Sequence, residues 1–185
     1  MVTVVAINGS RREGSYTKLA LELALDAAAE AGAEVGMIDL GERDIPLYHP
    51  DHDPGEEVSE LMREVRESEG VIVGSPVYHG SYSSAFKSFH DYCGFEEYEN
   101  TSVGLLASAG GGSYGSTLDH LRATIRGVHG WVVPQQVGIR GARDHFERGE
   151  LTTESLAERI AELGRVVSED ARLRASDREA VPAED

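Results

Sequence analysis

The chain has 185 residues, enough for one hydrophobic core and few for two, so a single domain over residues 1–172 is expected. Its formal net charge of -16, with two lysines (Lys18 and Lys87) against fifteen arginines, repels nucleic acid and anionic membranes and excludes both as partners. Such an acidic, lysine-poor surface also suits a very salty cytoplasm, where charge is screened over about 3 Å at 1 M salt, so a halophilic source is expected.

The β-branched run over residues 2–7 stops at Asn8-Gly9 and reads as a strand buried on both faces. The opening MVTVVAING is too short in its apolar run for a signal peptide, which makes a cytoplasmic location the expectation. From Thr17 the period becomes helical: Leu21, Ala24, Leu25 and Ala28 form one stripe, Lys18, Glu22, Asp26 and Glu30 the opposite one, and Gly32 sits where a cap belongs. Residues 34–40 read as a strand, 41–57 as a long Pro-containing working loop, 58–69 as a helix and 71–74 as a strand. A helix over 84–93 carries Cys93, a lone cysteine that excludes an internal disulfide and reads as a core thiol. Then follow a strand at 101–109, a helix at 116–128, a strand at 131–137 and a second long loop at 138–150.

Leu156, Ile160, Leu163 and Val167 mark the last helix, and residues 173–185 read as a mobile tail because apolar periodicity is lost there. Strands alternating with amphipathic helices predict an α/β fold with a five-stranded parallel sheet covered on both faces. Ligands of such sheets bind outside the carboxyl ends of the strands, so the loops after the first, third and fourth strands are the candidates.

In the first of these loops, Ser10, Arg11, Ser15, Tyr16 and Thr17 lie between a strand and a helix N-terminus. There, unpaired N–H groups, hydroxyls and a guanidinium suit a phosphate. Gly9 and Gly14 have P-loop spacing, but Ser15 stands where that motif needs lysine, and Ser75-Pro76 offers no aspartate for magnesium. In the second loop, Pro76, Val77, Tyr78 and His79 form a stiff rim suited to a flat ring. The third, Ser108, Ala109, Gly110, Gly111 and Gly112, opens a formal G-x-G-x-x-G, but residues 131–136 lack the acidic residue a dinucleotide fingerprint requires. Bare backbone brought close to a polar ring edge explains those glycines better. His49, Asp51, His52 and Asp53 have metal-capable side chains in one loop without a distant further ligand, so no metal is expected.

Gly9-Ser10-Arg11 with Gly14-Ser15, Ser75-Pro76-Val77-Tyr78 with Ala85-Phe86-Lys87, and the run from Gly110 to Gly112 before Leu118 together resemble the NAD(P)H-dependent FMN reductase family. The resemblance implies a flavodoxin-like, doubly wound sheet of order 2-1-3-4-5. It also implies FMN with its phosphate on residues 10–17 and its ring between residues 76–79 and 108–112, and hydride transfer from NADPH or NADH through FMN to a small-molecule acceptor such as free flavin or a quinone. A homodimer or homotetramer is implied as well. Position and electrostatics suffice for that chemistry, so no catalytic side chain is nominated. The alternatives are a flavodoxin-type electron carrier without efficient NAD(P)H oxidation, and a flavin-free nucleotide-binding domain.

Overall fold

The computed structural model describes residues 1–180, with side chains through Ser176. Strands and helices alternate as β1 (Thr3–Asn8), α1 (Tyr16–Glu30), β2 (Glu34–Asp39), α2 (Glu56–Arg66), β3 (Gly70–Pro76), α3 (Ser84–His90), the short α4 (Phe95–Tyr98), β4 (Ser102–Ala109), α5 (Gly115–Gly127) and β5 (Trp131–Arg140). These five strands form one parallel sheet in the order β2-β1-β3-β4-β5, as the resemblance implied. The order reverses between β1 and β3, which opens a crevice at their carboxyl ends.

Alternate residues of each strand feed two cores. Val4, Ala6 and Ile72 face α1 and the long C-terminal helix α6 (Glu154–Ala180), whereas Val5, Ile7, Val71 and Val73 face the side covered by α2, α3 and α5. Every residue of β3 and β4 is buried, which explains their apolar runs without polar alternation. Gly74 lets Leu21 of α1 lie on the sheet, and a Cβ at Gly164 of α6 would collide with the main chain of Ala24, so α1 and α6 cross in direct backbone contact.

Three departures from the sequence reading concern the C-terminal half. β5 continues to Arg140, and its register against β4 shifts between Val103 and Leu105, where Pro134 has no N–H to give the ladder. The expected loop at 138–150 contains a 3₁₀ turn (Ala142–His145) and a hairpin of β6 (Phe146–Glu147) and β7 (Glu150–Leu151). The chain is also helical beyond residue 172, where a tail was expected. Ala171 and Ala175 carry the buried stripe onward, Asp170 accepts a 2.6 Å hydrogen bond from Ser102 Oγ, and Arg174 bonds Asp170 at 2.7 Å while lying 3.9 Å above the Trp131 ring. Residues 181–185 of the expected tail lie outside the described residues.

Candidate active site

At the carboxyl edge of the sheet, the loop after β1 is folded by Asn8. Its side chain accepts from the Ser10 amide (3.1 Å), donates to the Ser10 carbonyl (3.2 Å) and reaches Asp39 Oδ1 (2.8 Å). Gly9 presses against β3, its N–H on the Gly74 carbonyl (2.8 Å) and its own carbonyl accepting from Ser83 Oγ (2.5 Å). Gly14, at φ +63°, turns the chain into α1, and Ser15 Oγ caps that helix by accepting from Lys18 N (3.2 Å). The first N–H groups of α1 face out of the loop without intrahelical partners.

Thr17 Oγ1 and Ser108 Oγ, 2.6 Å apart, tie this loop to the end of β4. Val77 N donates to the Ser108 carbonyl (2.8 Å), which joins the loop after β3 to the same point. Tyr78 and Ser81 exchange two backbone hydrogen bonds around a tight turn with His79 and Gly80 at positive φ, leaving the Tyr78 ring half exposed on the rim.

These loops enclose a cleft of about 680 Å³. Ser10, Ser15, Tyr16, Thr17, Pro76, Val77, Tyr78, Ser108, Ala109 and Gly110 line it, so the three stretches singled out in the sequence converge on one space. Arg11, His79, Gly111 and Gly112 do not line it. Arg11 lines two adjoining hollows, whereas Arg12, whose amide is held by Ser10 Oγ (3.4 Å), lines both of those and the cleft as well. A Cβ at Gly110, Gly111 or Gly112 would meet nothing within 4 Å, so no packing inside the protein demands glycine there. That bare stretch fits close approach by a group from outside.

Arg143 and Ala142, also on the cleft wall, were missed in the sequence because nothing periodic marks residues 138–150. Ala142 is buried and Gly141 takes φ +63°, which fixes the 3₁₀ turn, and Phe146 just beyond it stacks on Tyr16 (ring centroids 5.1 Å, 30° between planes). The only usable signal was the Gly-Ala-Arg-Asp sequence followed by Arg148-Gly149, a turn pattern between short apolar positions.

Lys18 is committed elsewhere. It bonds Asp39 (2.6 Å) and Glu42 (2.9 Å), and the hydrogen bonds to those two carboxylates raise its pKa. Burial pushes the Asp39 carboxyl up, but hydrogen bonds from Lys18, Gly41 N and Asn8 outweigh it and hold the group below the usual carboxylate range. The cations left facing the cleft are Arg12 and Arg143, neither with a carboxylate partner among the described residues. Cys93 is buried away from this edge and burial pushes its thiol up, which suits packing and not nucleophilic chemistry. Among the described residues no helix is long and apolar enough to cross a membrane.

The sheet order and the crevice where it reverses define a flavodoxin-like α/β protein. The flavoenzyme NAD(P)H:(acceptor) oxidoreductase FerB from Paracoccus denitrificans has the same fold, with a TM-score of 0.77, 17% identity, and 94% of this chain and 99% of that one covered. The family model for NADPH-dependent FMN reductase matches residues 2–144, and the chain belongs to that family. It is 32% identical over 151 residues to an NADPH azoreductase of Bacillus sp. (strain OY1-2), covering 80% of this chain and 81% of the relative. An FMN-dependent NADPH-azoreductase of Staphylococcus saprophyticus is 31% identical over 139 residues, with coverage of 71% and 73%. The chain is accordingly an oxidoreductase that uses FMN and NAD(P)H.

Proposed function

We propose that the cleft between the ends of β1, β3 and β4 is the FMN site, and that the enzyme passes electrons from NADPH to a flat organic acceptor such as a quinone, a free flavin or an azo compound. The observation that carries this reading is the convergence in one 680 Å³ space of a helix N-terminus, an unpaired arginine and an exposed glycine backbone. The N–H groups opening α1, with the hydroxyls of Ser10 and Ser15 and the guanidinium of Arg12, hold the phosphate. Pro76, Val77 and Tyr78 flank the ring, and the N–H groups of Ala109 and Gly110 face its polar edge, where they favour negative charge. FMN supplies the hydride chemistry when bound, and the protein binds, orients and electrostatically tunes it.

Donor and acceptor take turns on one exposed ring face in this reading, so steady-state kinetics are ping-pong. Stopped-flow bleaching of the flavin by NADPH, compared with NADH, tests the assignment directly. Fast bleaching and parallel double-reciprocal lines are expected, whereas bound FMN that NADPH reduces only slowly would mark an electron carrier. The source is a salt-rich cytoplasm and the working form a homodimer or homotetramer. Melting temperature and rate should then rise with potassium chloride, since the charge of -16 repels both anionic cofactors in dilute buffer. Maxima already present at low salt would contradict the halophilic part.

A further inference from the structure

Arg143 has no role in the phosphate-holding described above, yet it is the second cation on the cleft wall. It belongs to neither the loop after β1 nor the glycine run. It rides on the crossing that leaves the end of β5 at Arg140 and returns over the cleft to Phe146. That crossing is stiff at both ends. Gly141 is in the left-handed region and its carbonyl accepts from Asp144 N (2.8 Å), Ala142 is buried beside it, and Phe146 is stacked on Tyr16. The His145 ring adds contacts to Thr153 Oγ1 (2.9 Å) and the Arg140 carbonyl (3.1 Å). The backbone is thus held on either side of an exposed arginine whose side chain has no hydrogen-bond or ion-pair partner among the described residues.

In a chain with 33 carboxylates and 17 lysines and arginines, a guanidinium left unpaired at a cleft mouth is positioned against the trend of the surface. Arg12 already offers the first cation beside the N-terminus of α1, where a cofactor phosphate is satisfied by backbone and hydroxyl donors as well.

We propose that Arg143 is a specificity residue for a substrate of the FMN-loaded enzyme: it receives an anionic group, phosphate or sulfonate, on the molecule that docks over the flavin. The inference rests on the reading of this cleft as the FMN site. The same chemistry has two sources, the ribose phosphate that separates NADPH from NADH and an acidic substituent on the acceptor. A planar fork of five donors suits either oxyanion, and lysine at this position would supply the charge without the bidentate geometry.

The test uses the FMN-loaded protein and its Arg143→Ala and Arg143→Lys variants. Titration calorimetry with NADP⁺ and NAD⁺ reads binding without turnover. Steady-state kinetics with a sulfonated azo dye and its unsulfonated analogue read the acceptor side. If the donor supplies the anion, Arg143→Ala weakens NADP⁺ by about ten-fold or more, leaves NAD⁺ within two-fold, and raises KM for NADPH with kcat kept, while Arg143→Lys recovers part of the loss. If the acceptor supplies it, the dinucleotides are unaffected and KM rises for the sulfonated dye alone. Unchanged affinity for all four ligands overturns the proposal. So does a loss of FMN affinity in the variant as large as the loss of NADP⁺ affinity, which would make Arg143 part of the cofactor site. A wild-type protein that takes up no FMN would instead overturn the underlying reading, and the proposal with it.

Discussion

Thr17 Oγ1, one residue into α1, lies 2.6 Å from Ser108 Oγ, one residue before the end of β4, and both side chains are buried. This bond joins the loop assigned to the phosphate with the loop assigned to the ring, across 91 residues of sequence. Thr17→Val keeps the shape and leaves the Ser108 hydroxyl buried without that partner, at a cost of about 1–3 kcal/mol. The expected outcome in urea titrations is a lower midpoint for Thr17→Val and for Ser108→Ala, with the double variant losing less than the sum of the two.

The phosphate site is tested by FMN against riboflavin, which shares the ring and lacks the phosphate. Fluorescence titration should give FMN an advantage on the order of 100-fold, since several charge-assisted hydrogen bonds of about 1.5–3 kcal/mol converge on one dianion. Arg12→Ala should shrink that advantage at least about ten-fold and leave riboflavin unchanged, whereas Arg11→Ala should have the smaller effect because Arg11 does not line the cleft. Equal affinities in the wild type would remove the phosphate assignment.

Where α1 and α6 cross, Gly164→Ala places a methyl group against the Ala24 carbonyl oxygen. The helices have to separate, and overpacking of this kind costs about 1–3 kcal/mol. Melting temperature should fall by several degrees. Ala24→Gly should not rescue it, because the collision is with main chain.

His90 gives the pH dependence. Its ring is buried, stacked on Phe86 and edge-on to Tyr98, its Nδ1 has no hydrogen-bond partner among the described residues, and burial lowers its pKa from 6.5 to about 4 despite a backbone hydrogen bond at Thr124 and the nearby Asp91. Between those two values the unfolded chain binds a proton that the folded one refuses, so stability rises with pH across the window and levels off above about 6.5. The loss on going down to pH 4 is on the order of 3 kcal/mol. Urea midpoints measured from pH 4 to 7 should show this slope in the wild type, and His90→Phe should flatten it.

Much of this architecture was legible because burial writes itself into composition. Strands enclosed on both sides, such as residues 71–73, carry uninterrupted valine and isoleucine, and the stripe from Leu21 to Ala28 has no alternative but a helix on a sheet. The end of α6 was not legible, because its inward positions become Ala171 and Ala175 and further support comes from Ala31, Ser102 and Trp131, distant in sequence. The three cleft loops were found through their glycines, serines and position after strands. Which of two adjacent arginines reaches the cleft depends on the local course of the loop, and no spacing rule fixes that. Arg143 was invisible for a related reason: its place over the cleft follows from a two-residue hairpin and one ring stack, and neither leaves a period to count.

Pro134 and the register shift beside it have an effect outside the folded monomer. β5 is an edge strand, and a long regular edge offers its unpaired N–H and C=O groups as a template for strands of other molecules. With a bulge in mid-strand, the regular spacing of that template is interrupted within ten residues. A strand from another molecule cannot keep one regular register along the whole of this edge, so continuous sheet growth across it is disfavoured.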